Sequence, residues 1–123
     1  MDNKKILLVE DDALLQKLYT DLLKEDNYSV EVATDGLVAY QKMKDGGWDL
    51  VLLDILLPEL NGIKIVKKLK TDKEAKPNKK IVFLTNLDKG IEINEIQKLG
   101  LEYIIKSSLN PDEFLKKVKS FLQ

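Results

Sequence analysis

Apolar residues gather in four short runs, Ile6–Val9, Leu50–Leu53, Ile81–Leu84 and the shorter Tyr103–Ile105. A strand covered on both faces has no reason to alternate, so these runs predict buried strands. Tyr28 to Ala33 does alternate, with Ser29 and Glu31 set between Tyr28, Val30 and Val32, and predicts an edge strand. Between the runs, Leu14, Leu15, Leu18 and Leu22 recur at helical spacing, as do Phe114, Leu115, Val118, Phe121 and Leu122. Each set predicts a helix with one apolar face turned inward. The last helix has a start signal: Asn110 to cap, Pro111 at the first helical position and Glu113 three after the cap. Weaker helical patterns fall at about 36–44, 62–71 and 88–98.

Strand and helix alternate five times, and every gap between strands has room for a helical crossover. Such spacing implies parallel pairing and a doubly wound α/β sheet. Gly46, Gly47, Pro58, Gly62, Pro77, Gly90 and Gly100 punctuate the loops, with no linker, repeat or low-complexity stretch among them. One domain over residues 1–123 is expected.

Composition narrows the chemistry. The 44% apolar and 33% charged residues suit a soluble globular chain. The net charge is −1 and every basic residue is Lys, interspersed with acids, which disfavours direct nucleic-acid binding. The opening MDNKKILLVEDD reaches its first acids after only four apolar residues, so neither a signal peptide nor a membrane span is expected there, and a cytoplasmic location is. With no Cys and no His, chemistry must run on carboxylates, hydroxyls and amines.

In open parallel sheets ligands bind beyond the carboxyl ends of the strands. The residues there are Glu10, Asp11 and Asp12 after the first strand, Asp54 ending the third, Thr85 after the fourth and Lys106 after the fifth. If the first and third strands are neighbours, three carboxylates crowd together, and a hard divalent cation relieves their repulsion. Oxygen-only ligands point to Mg2+ or Mn2+, which favour sites that also bind phosphate oxygens. Lys106 and Thr85 would then serve a phosphoryl group on Asp54, which reads as transfer to a carboxylate nucleophile. Asp12 reads as the cap of the first helix. The clusters Lys67, Lys68, Lys70 and Lys116, Lys117, Lys119 read as solvated faces.

The segments KILLVEDD, DLVLLDILLPELNG, IVFLT and YIIK followed by NPDEFL resemble the signatures of response-regulator receiver domains of two-component signalling, the CheY-like superfamily, over almost the entire chain. The resemblance implies a flavodoxin-like five-stranded parallel sheet of order 2-1-3-4-5 flanked by five helices. It implies a signalling phosphoacceptor, not an enzyme beyond its own phosphoryl transfer and hydrolysis. Asp54 would be phosphorylated by a histidine kinase or a phosphotransfer protein. Asp11, Asp54 and the backbone carbonyl of Leu56 would hold Mg2+, with Glu10 acting through water. Thr85 and Tyr103 resemble the family's switch pair, although Tyr103 also suits plain core packing. The face of the fourth helix, fifth strand and fifth helix would meet a downstream protein of unspecified kind, the chain being a monomer or a weak dimer through that face. Neither nucleic acid nor membrane is an expected partner.

Two positions depart from the family. Asn86 stands where a small residue is usual, and could narrow access to Asp54 or bond to the phosphoryl group. Ser107 stands where Pro is usual. The family's Lys–Pro bond is typically cis, whereas a non-proline cis bond costs about 3 kcal/mol or more, so a trans bond is expected after Lys106. Leu56 and Leu87 occupy positions resembling those that tune self-hydrolysis, and neither can orient water, which implies slow decay of the phosphorylated state. The departures leave one alternative, a pseudo-receiver interaction module that works without phosphorylation. A flavin-binding protein fits less well, because EDD repels phosphate unless metal intervenes. An aspartate-nucleophile phosphatase would carry an Asp where Leu56 stands.

Overall fold

In the computed structural model each strand pattern forms a strand, and each helical pattern a helix that crosses back over the sheet. The elements are β1 (Lys5–Val9), α1 (Ala13–Glu25), β2 (Ser29–Ala33), α2 (Gly36–Asp45), β3 (Leu50–Asp54), α3 (Gly62–Thr71), β4 (Ile81–Thr85), α4 (Gly90–Lys98), β5 (Glu102–Ile105) and α5 (Pro111–Phe121). The structure describes residues 3–58, 60–86, 90–106 and 110–123, without side chains at 90–92. All strand pairs are parallel and the sheet order is β2-β1-β3-β4-β5. The expected α/β architecture is therefore the observed one, although the anticipated start of the fourth helix at 88 lies outside the described residues.

Alternation along the strands builds two cores, one on each face of the sheet. Ile6, Leu8, Leu50, Leu52, Val82, Leu84 and Ile104 pack with Tyr19 and Leu23 of α1 and Phe114, Val118 and Phe121 of α5. On the other face, Leu7, Val9, Val51, Leu53 and Phe83 meet residues of α2, α3 and α4, including Met43, Ile65 and Ile96. The edge strand β2 keeps Ser29 and Glu31 exposed, as its alternation requires.

The first helix turns differently from its leucine pattern. Leu14 and Leu18 are 81% and 46% exposed, while Tyr19 and Leu23 are buried with Leu15 and Leu22 beside them. Both stripes have helical spacing. The direction from which the sheet and α5 approach selects the second, and Tyr19 joins it because its ring has a partner in Phe114.

A close backbone approach anchors the turn after β3. Gly62 N–H donates to the Ile55 carbonyl at 2.8 Å, and a Cβ at Gly62 would lie 2.4 Å from the Asp54 carbonyl oxygen. Backbone atoms cannot rotate aside as a side-chain tip can. Gly62→Ala is therefore expected to lower stability by about 2–3 kcal/mol, the upper range for overpacking. Urea unfolding checks this, and a midpoint equal to the parent's would show that the turn yields freely.

Candidate functional site

Strand parity and register carry the polar side chains to one edge. Glu10 continues β1 by donating its N–H to the Ala33 carbonyl at 3.1 Å, and Asp54 ends β3 opposite Leu84. Glu10, Asp54 and Lys106 follow Leu8, Leu52 and Ile104 by two residues, so they share the sheet face covered by α1 and α5. Thr85 follows Phe83 and belongs to the opposite face. At the carboxyl edge both sets border a cleft of about 290 Å³, lined by Glu10, Asp11, Asp12, Leu15, Asp54, Ile55, Leu56, Thr85, Asn86 and Lys106.

Lys106 Nζ donates to Asp54 Oδ2 at 2.8 Å and pairs with Glu10 Oε1 as well. The three side chains are 4%, 8% and 1% exposed, so the charges meet largely out of water. Leu56 N–H donates to Asp54 Oδ1 at 3.3 Å. Glu10 is held by two further contacts: Asp12 N–H donates to Oε2 at 3.3 Å, and Gln16 Nε2 donates to its carbonyl at 2.6 Å. Carboxylate oxygens of Glu10, Asp11 and Asp54 lie within 4.8 Å of one another.

Burial pushes the Glu10 carboxyl above its usual range; Lys106 pulls it back, and Asp54 adds to the rise. Burial acts to lower the Lys106 ammonium, but hydrogen bonds to Asp54 and Glu10 outweigh it and leave the amine above its usual value. Lys106 therefore stays charged at neutral pH. Three carboxyl groups share one ammonium, an oxygen-rich, acid-heavy cluster that suits a hard cation.

The structure brings Glu10, Asp11, Asp54, Thr85, Lys106 and Leu56 to the cleft, but not Tyr103. Tyr103 is half-buried, lies opposite Phe83 in the β4–β5 register, and packs against the core on the α2–α4 side. Asn86 is exposed at the cleft wall. The expectations about Leu87, Ser107 and the bond after Lys106 lie outside the described residues. Sequence reading missed the Glu10–Lys106 pair, whose partners stand 96 positions apart, and the Gln16 brace. Gln16 carried no signal, since an amide on a helix is usually solvated.

Asp12 caps α1, accepting from Leu14 N–H at 2.9 Å and Leu15 N–H at 3.1 Å. Asp12→Ala is expected to lower stability by about 1 kcal/mol, the typical loss of such a cap. Divalent-ion affinity should stay as in the parent, and a large drop measured by calorimetry would instead make Asp12 a ligand.

Fold and cleft together define a doubly wound α/β protein that gathers acids and one buried lysine at its carboxyl edge. The chain belongs to the response regulator receiver domain family, whose profile matches residues 6–119. It is 33% identical over 121 residues to the transcriptional regulatory protein ResD of Bacillus subtilis, covering 97% of this chain and 48% of ResD. It is 33% identical over 119 residues to the polar-differentiation response regulator DivK of Brucella ovis, covering 97% of this chain and 96% of DivK. The chain thus spans about half of the one relative and nearly all of the other. The receiver domain of the sensor histidine kinase PA1611 from Pseudomonas aeruginosa superposes with a TM-score of 0.83 over 98% of each chain at 22% identity. That likeness is one of fold, and the Pseudomonas domain has a magnesium ion coordinated in its active site cleft. Receiver domains of response regulators are signalling proteins, not classical enzymes. Among the described residues no helix is long and apolar enough to cross a membrane.

Proposed function

We propose that this chain, acting as one receiver unit over residues 1–123, is a phosphoacceptor switch. Asp54 takes its phosphoryl group from the phosphohistidine of a histidine kinase or phosphotransfer protein. One observation carries the reading: a buried carboxylate ends the central strand in contact with a charged lysine, with two more acids within 4.8 Å.

In the transfer, an Asp54 carboxylate oxygen bonds to phosphorus while the P–N bond of the phosphohistidine breaks. The electron pair returns to the imidazole nitrogen, and Asp54 becomes an acyl phosphate. Asp11, Asp54 and the Leu56 carbonyl are proposed to hold Mg2+, with Glu10 acting through water; Mn2+ suits the same donors. Bound there, the ion would neutralise the acids and the phosphoryl oxygens. Lys106 leaves its ion pairs to meet the new phosphoryl oxygens, and Thr85 contributes its hydroxyl.

The added charge biases a two-state element. Thr85 stands two residues beyond Phe83, which Tyr103 faces across β4 and β5, so a shift of Thr85 toward phosphate reaches the Tyr103 ring. We assign the output to the α4–β5–α5 face, meeting a downstream protein as a monomer or weak dimer. A cytoplasmic location belongs to the proposal, because phosphohistidine is made from ATP.

The test is incubation with a small acyl phosphate, followed by intact mass and peptide mapping. One phosphoryl group on Asp54, formed with Mg2+ and not formed when chelator is added beforehand, is expected. No adduct with Mg2+ present would favour the module that works without phosphorylation.

A further inference from the structure

The Lys106 side chain is only 4% exposed, although it stands at the edge of the sheet beside a cleft. Something must cover its four methylenes. Lys106 shares the sheet face of Ile104, and α1 and α5 cover that face. Both helices begin just past the carboxyl edge, and each has a first buried side chain after that start. Those are Tyr19 in α1 and Phe114 in α5. Leu15, one turn before Tyr19, already lines the cleft.

The two rings stack with centroids 4.7 Å apart and planes inclined by 26°. Burial pushes the Tyr19 phenol up, and the charges of Lys106, Glu10 and Asp54 all reach it. Both helix starts are pinned, α1 by the Asp12 cap and α5 by the capping box of Asn110 and Glu113 with Pro111 behind it. The stack is therefore held from two sides.

We propose that the Tyr19–Phe114 stack positions Lys106, giving its stem a flat wall that aims the ammonium at Asp54. A lysine stem has four rotatable bonds and, in open solvent, loses much rotamer freedom on ordering. A stacked pair held by two helices orders it in advance, where an aliphatic side chain at position 19 would fill space without that wall. Tyr19 and Phe114 touch no reacting atom and act through Lys106. The effect on transfer rests on the phosphoacceptor reading; the effect on Lys106 does not.

Two measurements on Tyr19→Phe and Tyr19→Leu test this. The first is the Lys106 ammonium signal by side-chain NMR in metal-free buffer. Tyr19→Phe should keep the ordered, slowly exchanging signal, and Tyr19→Leu should lose it. The second is the rate of adduct formation from a small acyl phosphate with Mg2+. Tyr19→Leu should slow it roughly tenfold, less than the roughly hundredfold that a full 1 Å misplacement can cost, with Mg2+ affinity unchanged. In a Lys106→Met background the same substitution should cost nothing further, because the two act as a unit. Should Tyr19→Leu fail to fold, Phe114→Leu removes the other ring and carries the same expectations. An undisturbed Lys106 signal in the leucine variants overturns the proposal, and so does an equal slowing in the Lys106→Met background. If the parent chain forms no adduct, the phosphoacceptor reading fails, while the Lys106 signal still decides the positioning.

Discussion

Asp54→Asn is expected to end phosphate acceptance altogether and to leave the fold standing. An amide oxygen is no nucleophile toward phosphorus, so no acyl phosphate can form. The amide oxygen can still accept from Lys106 Nζ or Leu56 N–H, which now bond to the two carboxylate oxygens. Removing one acid also relieves Glu10, since Asp54 is among the groups that push its carboxyl up. These effects oppose the loss of a charged hydrogen bond, so unfolding in chelator should stay within about 1 kcal/mol of the parent. Mg2+ affinity should drop at least tenfold, the minimum expected for losing a ligand when loss of a group that merely hydrogen-bonds to a ligand costs roughly 10–100-fold. Intact mass and calorimetry read the two effects. An undiminished adduct in this variant would move the acceptor elsewhere.

Lys106→Met should have the larger effect on stability. Methionine replaces most of the stem but leaves Glu10 and Asp54 buried beside each other without their cation. Breaking a buried pair by removing one partner costs about 3–5 kcal/mol, and the low end is expected because the cleft admits water. The loss has a pH signature in metal-free buffer. Glu10 already sits above its ordinary value of 4.5, and without Lys106 it rises further. A carboxyl raised on folding favours the protonated folded state, so its penalty is absent below that ordinary value and grows as pH rises through the folded one. The gap between parent and variant is therefore widest near neutral pH and closes in acid. In the parent, the raised Lys106 contributes stability below its ordinary value of 10.5 and loses it as pH climbs through the raised one. Mg2+ should restore part of the variant's stability. Urea unfolding across pH reads all of this, and a pH-independent loss would refute the account.

Much of the fold was legible because the strands are buried on both faces. Continuous apolarity over only four residues favoured buried strands at Ile6–Val9 and Leu50–Leu53, and alternation marked Tyr28–Ala33 as the edge. Boundaries moved by a residue, as at Glu102 and Asp54, because polar residues can end a strand while still in its ladder. Strand order also made the cleft legible: a parallel sheet with β1 beside β3 brings Glu10 and Asp11 toward Asp54 whatever the helices do. Tyr103 is another matter, since position alone gives no sign of which core receives its ring.

By itself, then, the sequence determined which segments are strands, that they run parallel, and which polar groups reach the carboxyl edge. Those outcomes follow from local periodicity and crossover length. Tertiary structure alone decided the pairing of Lys106 with Glu10, the exposure of Leu14 and Leu18 in favour of Tyr19 and Leu23, and the meeting of Tyr19 with Phe114. Each depends on the angle at which one packed element meets another, and both apolar stripes on α1 satisfy helical spacing equally well. Only the surface that arrives against the helix chooses among them.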